Sequence, residues 1–395
     1  MAAAALTWQD ELLRGLKRAR EIAADPASTL PDLPAADRAR VVAARRSFPF
    51  LVPEGYAALI DWTDPEDPLR RLLLPSADEA SPDGELDTSG EALSTVVPGL
   101  QHKYEQTAVL LLTDACAGHC RYCFRRRLMS RDVMTRETIE DLEAAIGYVA
   151  AHPEVDNVLL SGGDPMVCST ERLRRLLAAL ASIPHLWQVR ISTKLPAFLP
   201  SRFSGDPALL EVLAAIQDRF QVVVQCHFDH PRELTPAAEE AIAALRRSGC
   251  VLTAQIPLMR GVNADPDLLA VLFKRLHRLG VLPQYLFHPR PVKHATHFQL
   301  PLRDGLALVE EVRRRCSGPV KRFRYILTHA EGKLELLGEL PERPGELLCR
   351  WHQSRRGSAT SGLLSVAIEP GAVWLDPPTA ARSASAGARV AAAAA

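Results

Sequence analysis

Long apolar runs are missing from this chain. No stretch approaches the roughly 20 residues that a membrane-spanning helix needs, which removes the integral membrane class from its sequence reading. Net charge is missing too: 47 Lys and Arg balance 47 Asp and Glu, so no dominant sign argues for nucleic acid or an anionic membrane as partner. Cysteines are sparse, eight in 395 residues, which excludes a small disulfide-stapled secreted scaffold. With no signal-like N-terminus, the sequence points to a reducing, cytoplasmic setting.

The few cysteines are concentrated. Three of the eight fall in Cys116-Ala-Gly-His-Cys120-Arg-Tyr-Cys123, directly after the apolar run of residues 107–112. Three thiolates at this spacing suit three irons of one [4Fe–4S] cube, since spacing is the readable sign of such sites. A fourth close cysteine is absent, which would leave one iron open to a ligand, as reactive metal sites are. A structural zinc knuckle that adds His119, or cysteines buried as small apolar residues, is the other reading.

Apolar periodicity organises the rest. Residues 8–24 have helical spacing, 31–47 suit a second short helix, and the acidic Pro- and Gly-containing residues 81–90 read as a surface loop. From Thr107 onward, short apolar strands (108–113, 158–161, 189–193, 220–227, 252–256, 282–288) alternate with amphipathic helices (136–151, 170–182, 207–219, 236–248, 266–279). This alternation predicts an α/β fold with a parallel sheet and right-handed crossovers. Six such units suit an incomplete (β/α)6-type TIM barrel, whose chemistry gathers on the loops after the strands. The cysteine loop follows the first of them. The expected division is an N-terminal helical extension (1–106), the partial barrel (107–300), a C-terminal β/irregular extension (301–378) and a disordered tail (379–395). Residues 1–5 are similarly Ala-rich and expected to be disordered. Within the extension, residues 322–328 and 333–337 read as two strands, joined where Gly332 permits unusual backbone angles.

Polar residues recur at the strand ends. Ser161-Gly162-Gly163-Asp164-Pro165 follows the second strand. Its glycines would let a ligand approach the backbone and Asp164 could accept hydrogen bonds from a cation; equally, the segment reads as a tight turn N-capped by Asp164. Ser192 and Lys194, then Gln225, His227 and His230, then Gln255 and Arg260 mark the next three strand ends. Each alone suits a satisfied polar group, but their recurrence at one end marks a site.

The cysteine spacing, with Tyr122 before the last cysteine, resembles the radical S-adenosylmethionine (SAM) signature, and the Gly-Gly-Asp-Pro loop resembles the segment that holds SAM's amino group. Further stretches add to this: Pro98-Gly-Leu, Lys103-Tyr104, Leu111-Leu-Thr-Asp114, Cys120-Arg-Tyr-Cys-Phe-Arg-Arg-Arg127, His227-Phe-Asp-His230-Pro and Leu258-Met-Arg-Gly-Val-Asn263. Together they make the chain similar to the lysine 2,3-aminomutase family over about residues 8–338. The resemblance implies a [4Fe–4S] cluster on Cys116, Cys120 and Cys123, with SAM on the open iron and pyridoxal phosphate (PLP) as a third cofactor. Gly162, Gly163, Asp164, His227 and Gln255 match positions around SAM. Arg125 matches the arginine that grips the substrate α-carboxylate, a task suited to a two-pronged guanidinium. The implied activity is an isomerase: a 5′-deoxyadenosyl radical and a PLP-assisted 1,2-amino shift on a small-molecule amino acid. An electron donor such as flavodoxin or ferredoxin would feed the cluster, and homo-oligomerisation is one option.

Three features depart from that family. The PLP-lysine segment is represented by His329-Ala-Glu-Gly332-Lys333, which has a single glycine. Lys333 is therefore either the catalytic lysine that carries PLP or an exposed lysine in a hairpin turn. Where lysine-specific members place aspartates for the distal ammonium, this chain aligns Arg290 and Thr328. A guanidinium repels an ammonium and prefers an anion, so the expected substrate is an anionic or differently shaped L-amino acid rather than lysine. A register shift bringing in Lys293 or His294 is the alternative. Finally, only Cys349 precedes the Ala-rich end, so the terminal cysteine cluster through which some members dimerise has no counterpart. A PLP-independent radical SAM enzyme acting on another amino-acid-like or protein-bound substrate, and a cluster- or zinc-binding protein without catalysis, are the other readings.

Overall fold

Twelve strands join in chain order into one sheet among the described residues of the computed structural model, which are 7–25, 33–44, 48–129, 138–355 and 362–375. The two Ala-rich termini expected to be disordered lie outside them, as does the start of the helix expected at 136–151. The first strands, β1 (Thr95–Val97), β2 (Leu100–Tyr104) and β3 (Thr107–Thr113), run antiparallel. From β3 through β4 (Asn157–Gly162), β5 (Gln188–Thr193), β6 (Gln221–Cys226), β7 (Val251–Pro257), β8 (Val281–Phe287) and β9 (Arg324–His329), every pairing is parallel. The last strands, β10 (Gly332–Glu339), β11 (Glu346–Ser354) and β12 (Leu363–Ala367), return to an antiparallel meander.

The parallel run thus holds seven strands. The seventh, β9, was expected only as one arm of a hairpin in the extension; it pairs with β10 in that way but also continues the sheet beside β8. Two more differences concern the N-terminal part. It is not only helical, since β1 and β2 join the sheet, and the last three residues of the expected surface loop are buried, with Thr88 and Ser89 each 8% exposed. Composition marked that loop as polar but could not show that β8's following loop covers it. Glu85 N donates to the Pro291 carbonyl and Lys293 N to the Glu85 carbonyl.

Local chemistry explains where the crossover helices begin. Asp206-Pro207, Thr235-Pro236 and Asp265-Pro266 each place a side-chain cap directly before a proline that needs no N–H partner. A cap contributes about 1 kcal/mol, whereas each buried leucine contributes about 1.5–3 kcal/mol. Helix Thr170–Ala181 buries Leu173, Leu176, Leu177 and Leu180, so packing holds it while Ser169 sets its start. Strands β5 and β7 alternate: Val189, Ile191, Leu252, Ala254 and Ile256 are buried beneath the helices. Their other face, with Arg190, Ser192, Thr253 and Gln255, is half-buried and looks into the barrel.

The sheet curls until its ends meet through side chains. Lys103 Nζ on β2 donates to the His329 carbonyl on β9 at 2.8 Å, and Lys333 Nζ on β10 lies 5.6 Å from the Tyr104 ring centre. The N-terminal helices brace the segments that follow β5 and β6. Tyr56 Oη donates to Glu233, Arg232 Nη1 reaches Asp67 at 2.7 Å, and Trp8 stacks 4.1 Å from the Arg202 guanidinium.

Candidate active site

The cysteine loop is held by the N-terminal segment as well as by its own turns, such as Cys123 N donating to the Cys120 carbonyl at 3.0 Å. His119 N and Arg121 N donate to the Leu51 and Leu72 carbonyls at 3.0 and 2.7 Å. Arg121 is fully buried against the Phe48 ring, and Arg121 and Arg126 share Glu79. Burial opposes the Glu79 charge, but the Arg121 and Arg126 guanidiniums hold it below its ordinary value. His119 bears on the zinc alternative. Its ring stacks on Phe48, its Nδ1 lies 2.8 Å from the Pro49 carbonyl, and burial lowers its pKa to about 4. One ring nitrogen is thus committed to the backbone.

Cys116, Cys120 and Cys123 are half-buried free thiols. Burial raises the pKa of all three, and on Cys116 the Asp164 carboxylate and the other two sulfurs add to it. Asp164 N donates to the Ala115 carbonyl at 2.8 Å, which sets the glycine loop beside Cys116. With one His119 nitrogen bonded to the backbone, the loop offers three thiols, the set that suits three irons of one cube and leaves the fourth open.

The glycine loop after β4 packs directly on the cysteine loop. Gly163 N donates to the Thr113 carbonyl at 2.6 Å, and a Cβ on Gly163 would sit 2.2 Å from the Ala115 carbonyl oxygen. Gly162 has φ +113°, where a side chain is strained. Asp164 behaves as the turn reading expected. Its Oδ1 accepts from Met166 N at 3.0 Å, and its Oδ2 accepts from Thr193 Oγ1 and Lys194 N at 2.9 and 2.8 Å. Burial still raises its pKa to about 6.

Beside this lies a buried ionic network. Lys194 Nζ donates to Asp229 Oδ2 at 2.8 Å and Glu233 Oε1 at 2.7 Å, with both carboxylates inaccessible to solvent. Tyr122, between the last two cysteines, donates to Asp229 Oδ2 at 2.6 Å and stacks on His227. His227 Nε2 lies 3.0 Å from Asp229 Oδ1; a carboxylate only accepts, so that nitrogen carries the proton. Lys194→Met would strand two buried carboxylates, so it should lower the unfolding free energy of the cofactor-free chain by about 3–5 kcal/mol. An unchanged denaturation midpoint would show that the network carries no such load.

Arg125 and Lys333 complete the inventory. Arg125 Nε donates to Glu91 Oε1 at 2.8 Å with Nη2 in ion-pair contact at 2.7 Å, and Nη1 donates to Ser161 Oγ. Arg290 is half-buried, donates to Ser89 Oγ, and lies 4.1 Å above the Phe124 ring, with Arg125 at 4.8 Å from the same ring. Burial lowers its pKa to about 10. Thr328 is buried on β9 opposite Lys333, and its Oγ1 has no hydrogen-bond partner. Lys333 Nζ donates to Gln353 Oε1 at 2.8 Å and lies 5.0 Å from the Tyr285 ring. Burial, then the positive charges of Arg190, Arg290 and Lys103, lower its pKa to about 7.

Similarity to known proteins agrees with this arrangement. Residues 110–271 match the model of the radical SAM superfamily. An Aquifex aeolicus (strain VF5) protein with the provisional name L-lysine 2,3-aminomutase is 37% identical over 349 residues, 88% of this chain and 92% of that protein. The L-lysine 2,3-aminomutase of Escherichia coli (strain K12) is 36% identical over 277 residues, 70% of this chain and 79% of the relative. That of Clostridium subterminale is 37% identical over 268 residues, covering 67% and 62%. The chain belongs to the radical SAM lysine 2,3-aminomutase family. It is an isomerase, and membership implies a [4Fe–4S] cluster, SAM and PLP as its cofactors.

Against this family background, four residues around the lumen were not anticipated from sequence. Glu91 sat just past a stretch read as surface. Arg190 looked like one polar residue within a strand; its side chain reaches toward Thr107, and its Nε is buried without a partner. His352 and Gln353 belong to a C-terminal stretch without interpretable pattern, yet β11 brings them to Tyr285 and Lys333. Among the described residues no helix is long and apolar enough to cross a membrane.

Proposed function

We propose that this chain catalyses a PLP-assisted 1,2-amino shift on an L-amino acid other than lysine, one whose side chain is anionic or uncharged. When bound, the cluster and SAM supply a 5′-deoxyadenosyl radical that abstracts a substrate hydrogen, and PLP supplies delocalisation across the migrating nitrogen. Cys116, Cys120 and Cys123 would bind three irons. Gly162, Gly163, His227 and Gln255 would surround SAM, with Asp164 holding the glycine loop in shape through its three protein donors. Arg125 would take the α-carboxylate, Lys333 would carry PLP, and Arg290 and Thr328 would meet the substrate side chain. A low-potential one-electron donor of the flavodoxin or ferredoxin type would reduce the cluster.

The observation that carries this reading is the setting of Lys333. An exposed hairpin lysine keeps an ordinary ammonium, whereas this amine is drawn down to about 7 and lies between two tyrosine rings inside the barrel. The same surroundings support the substrate class. Lys103, Arg190 and Arg290 are the charges that Lys333 feels, and all are positive. A lysine substrate would bring a further ammonium into that field, while a side-chain carboxylate would be drawn in.

The test is anaerobic turnover of each of the twenty L-amino acids by the reconstituted holoenzyme, with β-amino acid products resolved by chromatography. An acidic or uncharged amino acid is expected to exceed L-lysine at least tenfold in kcat/KM, about 1.4 kcal/mol of discrimination. Conversion of L-lysine faster than every other amino acid would overturn the substrate assignment.

A further inference from the structure

The segment from Gly84 to Ser94 crosses the mouth of the barrel as a strap. Glu85 is stitched to Pro291 and Lys293 beyond β8, Ser89 meets Arg290 and Lys103, and Glu91 enters between Arg125 and Arg127. The strap's backbone is tied by hydrogen bonds at that point. Asp87 accepts from Glu91 N and Ala92 N at 2.9 and 3.0 Å, and Thr95 Oγ1 donates to the Glu91 carbonyl at 2.9 Å. Glu91 is only 5% exposed.

We infer that Glu91 is a positioning residue: it holds the Arg125 guanidinium as a preformed receptor for the substrate's α-carboxylate. This rests on the role given to Arg125 above. A guanidinium has five N–H groups. Glu91 Oε1 takes the Nε hydrogen and lies 2.7 Å from Nη2, and Ser161 takes one from Nη1. At least one N–H therefore remains on each terminal nitrogen, the number a second carboxylate needs for a two-pronged bond. Glu91 Oε2 accepts from Arg127, so one carboxylate faces two guanidiniums. Burial opposes the Glu91 charge, but Arg125 and Arg127 draw its pKa down to about 2, so it is ionised throughout the working range. The Phe124 ring, 4.8 Å from Arg125, restricts the guanidinium from one side. An arginine fixed in this way before binding loses little side-chain entropy when substrate arrives.

Glu91→Gln keeps the shape and removes the charge; Glu91→Asp keeps the charge and shortens the reach. Steady-state kinetics use whichever of the twenty L-amino acids the wild type turns over best, with iron per chain and melting temperature measured alongside. Glu91→Gln is expected to raise KM roughly tenfold, the scale of one lost hydrogen bond to a charged group. It should leave kcat within about twofold, since the lost interaction acts on binding. Iron content should stay constant, and Glu91→Asp should recover part of the KM effect. An unchanged KM, or a loss confined to iron and melting temperature, would overturn the inference. A fall in KM would also overturn it by showing that Glu91 competes with the substrate. Arg125→Ala separates the two levels. If it raises KM while Glu91→Gln does not, only the Glu91 role fails; if it leaves KM unchanged, or no amino acid is turned over, the underlying reading fails.

Discussion

Serine in place of Cys116, Cys120 or Cys123 is expected to abolish bound iron and reductive SAM cleavage together, leaving no cleavage above the rate without enzyme. A serine hydroxyl is neither a thiolate nor a soft ligand, and soft sulfur is what selects an iron–sulfur cluster. Nothing in the fold can substitute. The other five cysteines, Cys168, Cys226, Cys250, Cys316 and Cys349, are buried in separate elements, where burial raises the pKa of each. Cys349→Ser therefore serves as the control and should keep its iron. The three loop thiols are also raised by burial, so without metal they hold their protons through neutral pH. Metal uptake must release those protons, which makes reconstitution easier as pH rises from 7 to about 9. Iron analysis, electron paramagnetic resonance of the dithionite-reduced protein and 5′-deoxyadenosine formation read the result. A serine variant with full iron and wild-type cleavage would remove that cysteine from the cluster.

The sequence carried the barrel well because its signals there are local. Cap–proline pairs start three of the crossover helices, and apolar strands alternate with them at regular spacing. The cysteine loop and the glycine loop were likewise contiguous motifs. What escaped depends on contacts between distant segments. Whether β9 belongs to a hairpin or to the barrel depends on its pairing with β8, 39 residues earlier by register of Arg324 on Tyr285. Lys194 read as one polar strand end among several, and only folding brings it to Asp229 and Glu233, making it the counter-ion of two buried acids. Asp164 offered a cation-binding reading and a capping reading, and the local sequence alone favoured the second. The donors that take up its carboxylate include Thr193 and Lys194 on the next strand end, which periodicity cannot assign. Glu91 illustrates the sharper limit. An acidic, Gly-containing stretch is polar whether it faces water or two arginines, so composition reads the same in both cases.

Replacing Lys333 by alanine is expected to eliminate covalent PLP binding and to lower turnover by roughly three orders of magnitude, the scale on which loss of a covalent catalytic group acts. Borohydride treatment followed by peptide mass analysis should find PLP fixed on the wild-type peptide that contains Lys333 and on no lysine of the variant. This readout is independent of activity. The pH dependence follows from the lowered pKa. Below about pH 7 the amine is an ammonium and cannot attack PLP's aldehyde; above it the free amine predominates, so trapping should rise through pH 7 rather than near the ordinary lysine value of 10.5. Stability carries the same sign. The folded chain releases this proton near pH 7 while the unfolded chain keeps it to about 10.5, so the unfolded state binds more protons in that window. The cofactor-free wild type should accordingly gain stability as pH rises from 7 toward 10.5, and Lys333→Met should lose that dependence. Methionine retains the stem and deletes the charge, so at pH 7 and below it should be the more stable of the two, because it spares the barrel an ammonium facing Arg190, Arg290 and Lys103. An amine held this close to neutrality is poor material for a hairpin surface and well suited to bond a carbonyl carbon. Trapping that persists in Lys333→Ala, or that begins only above pH 9, would assign PLP to another lysine.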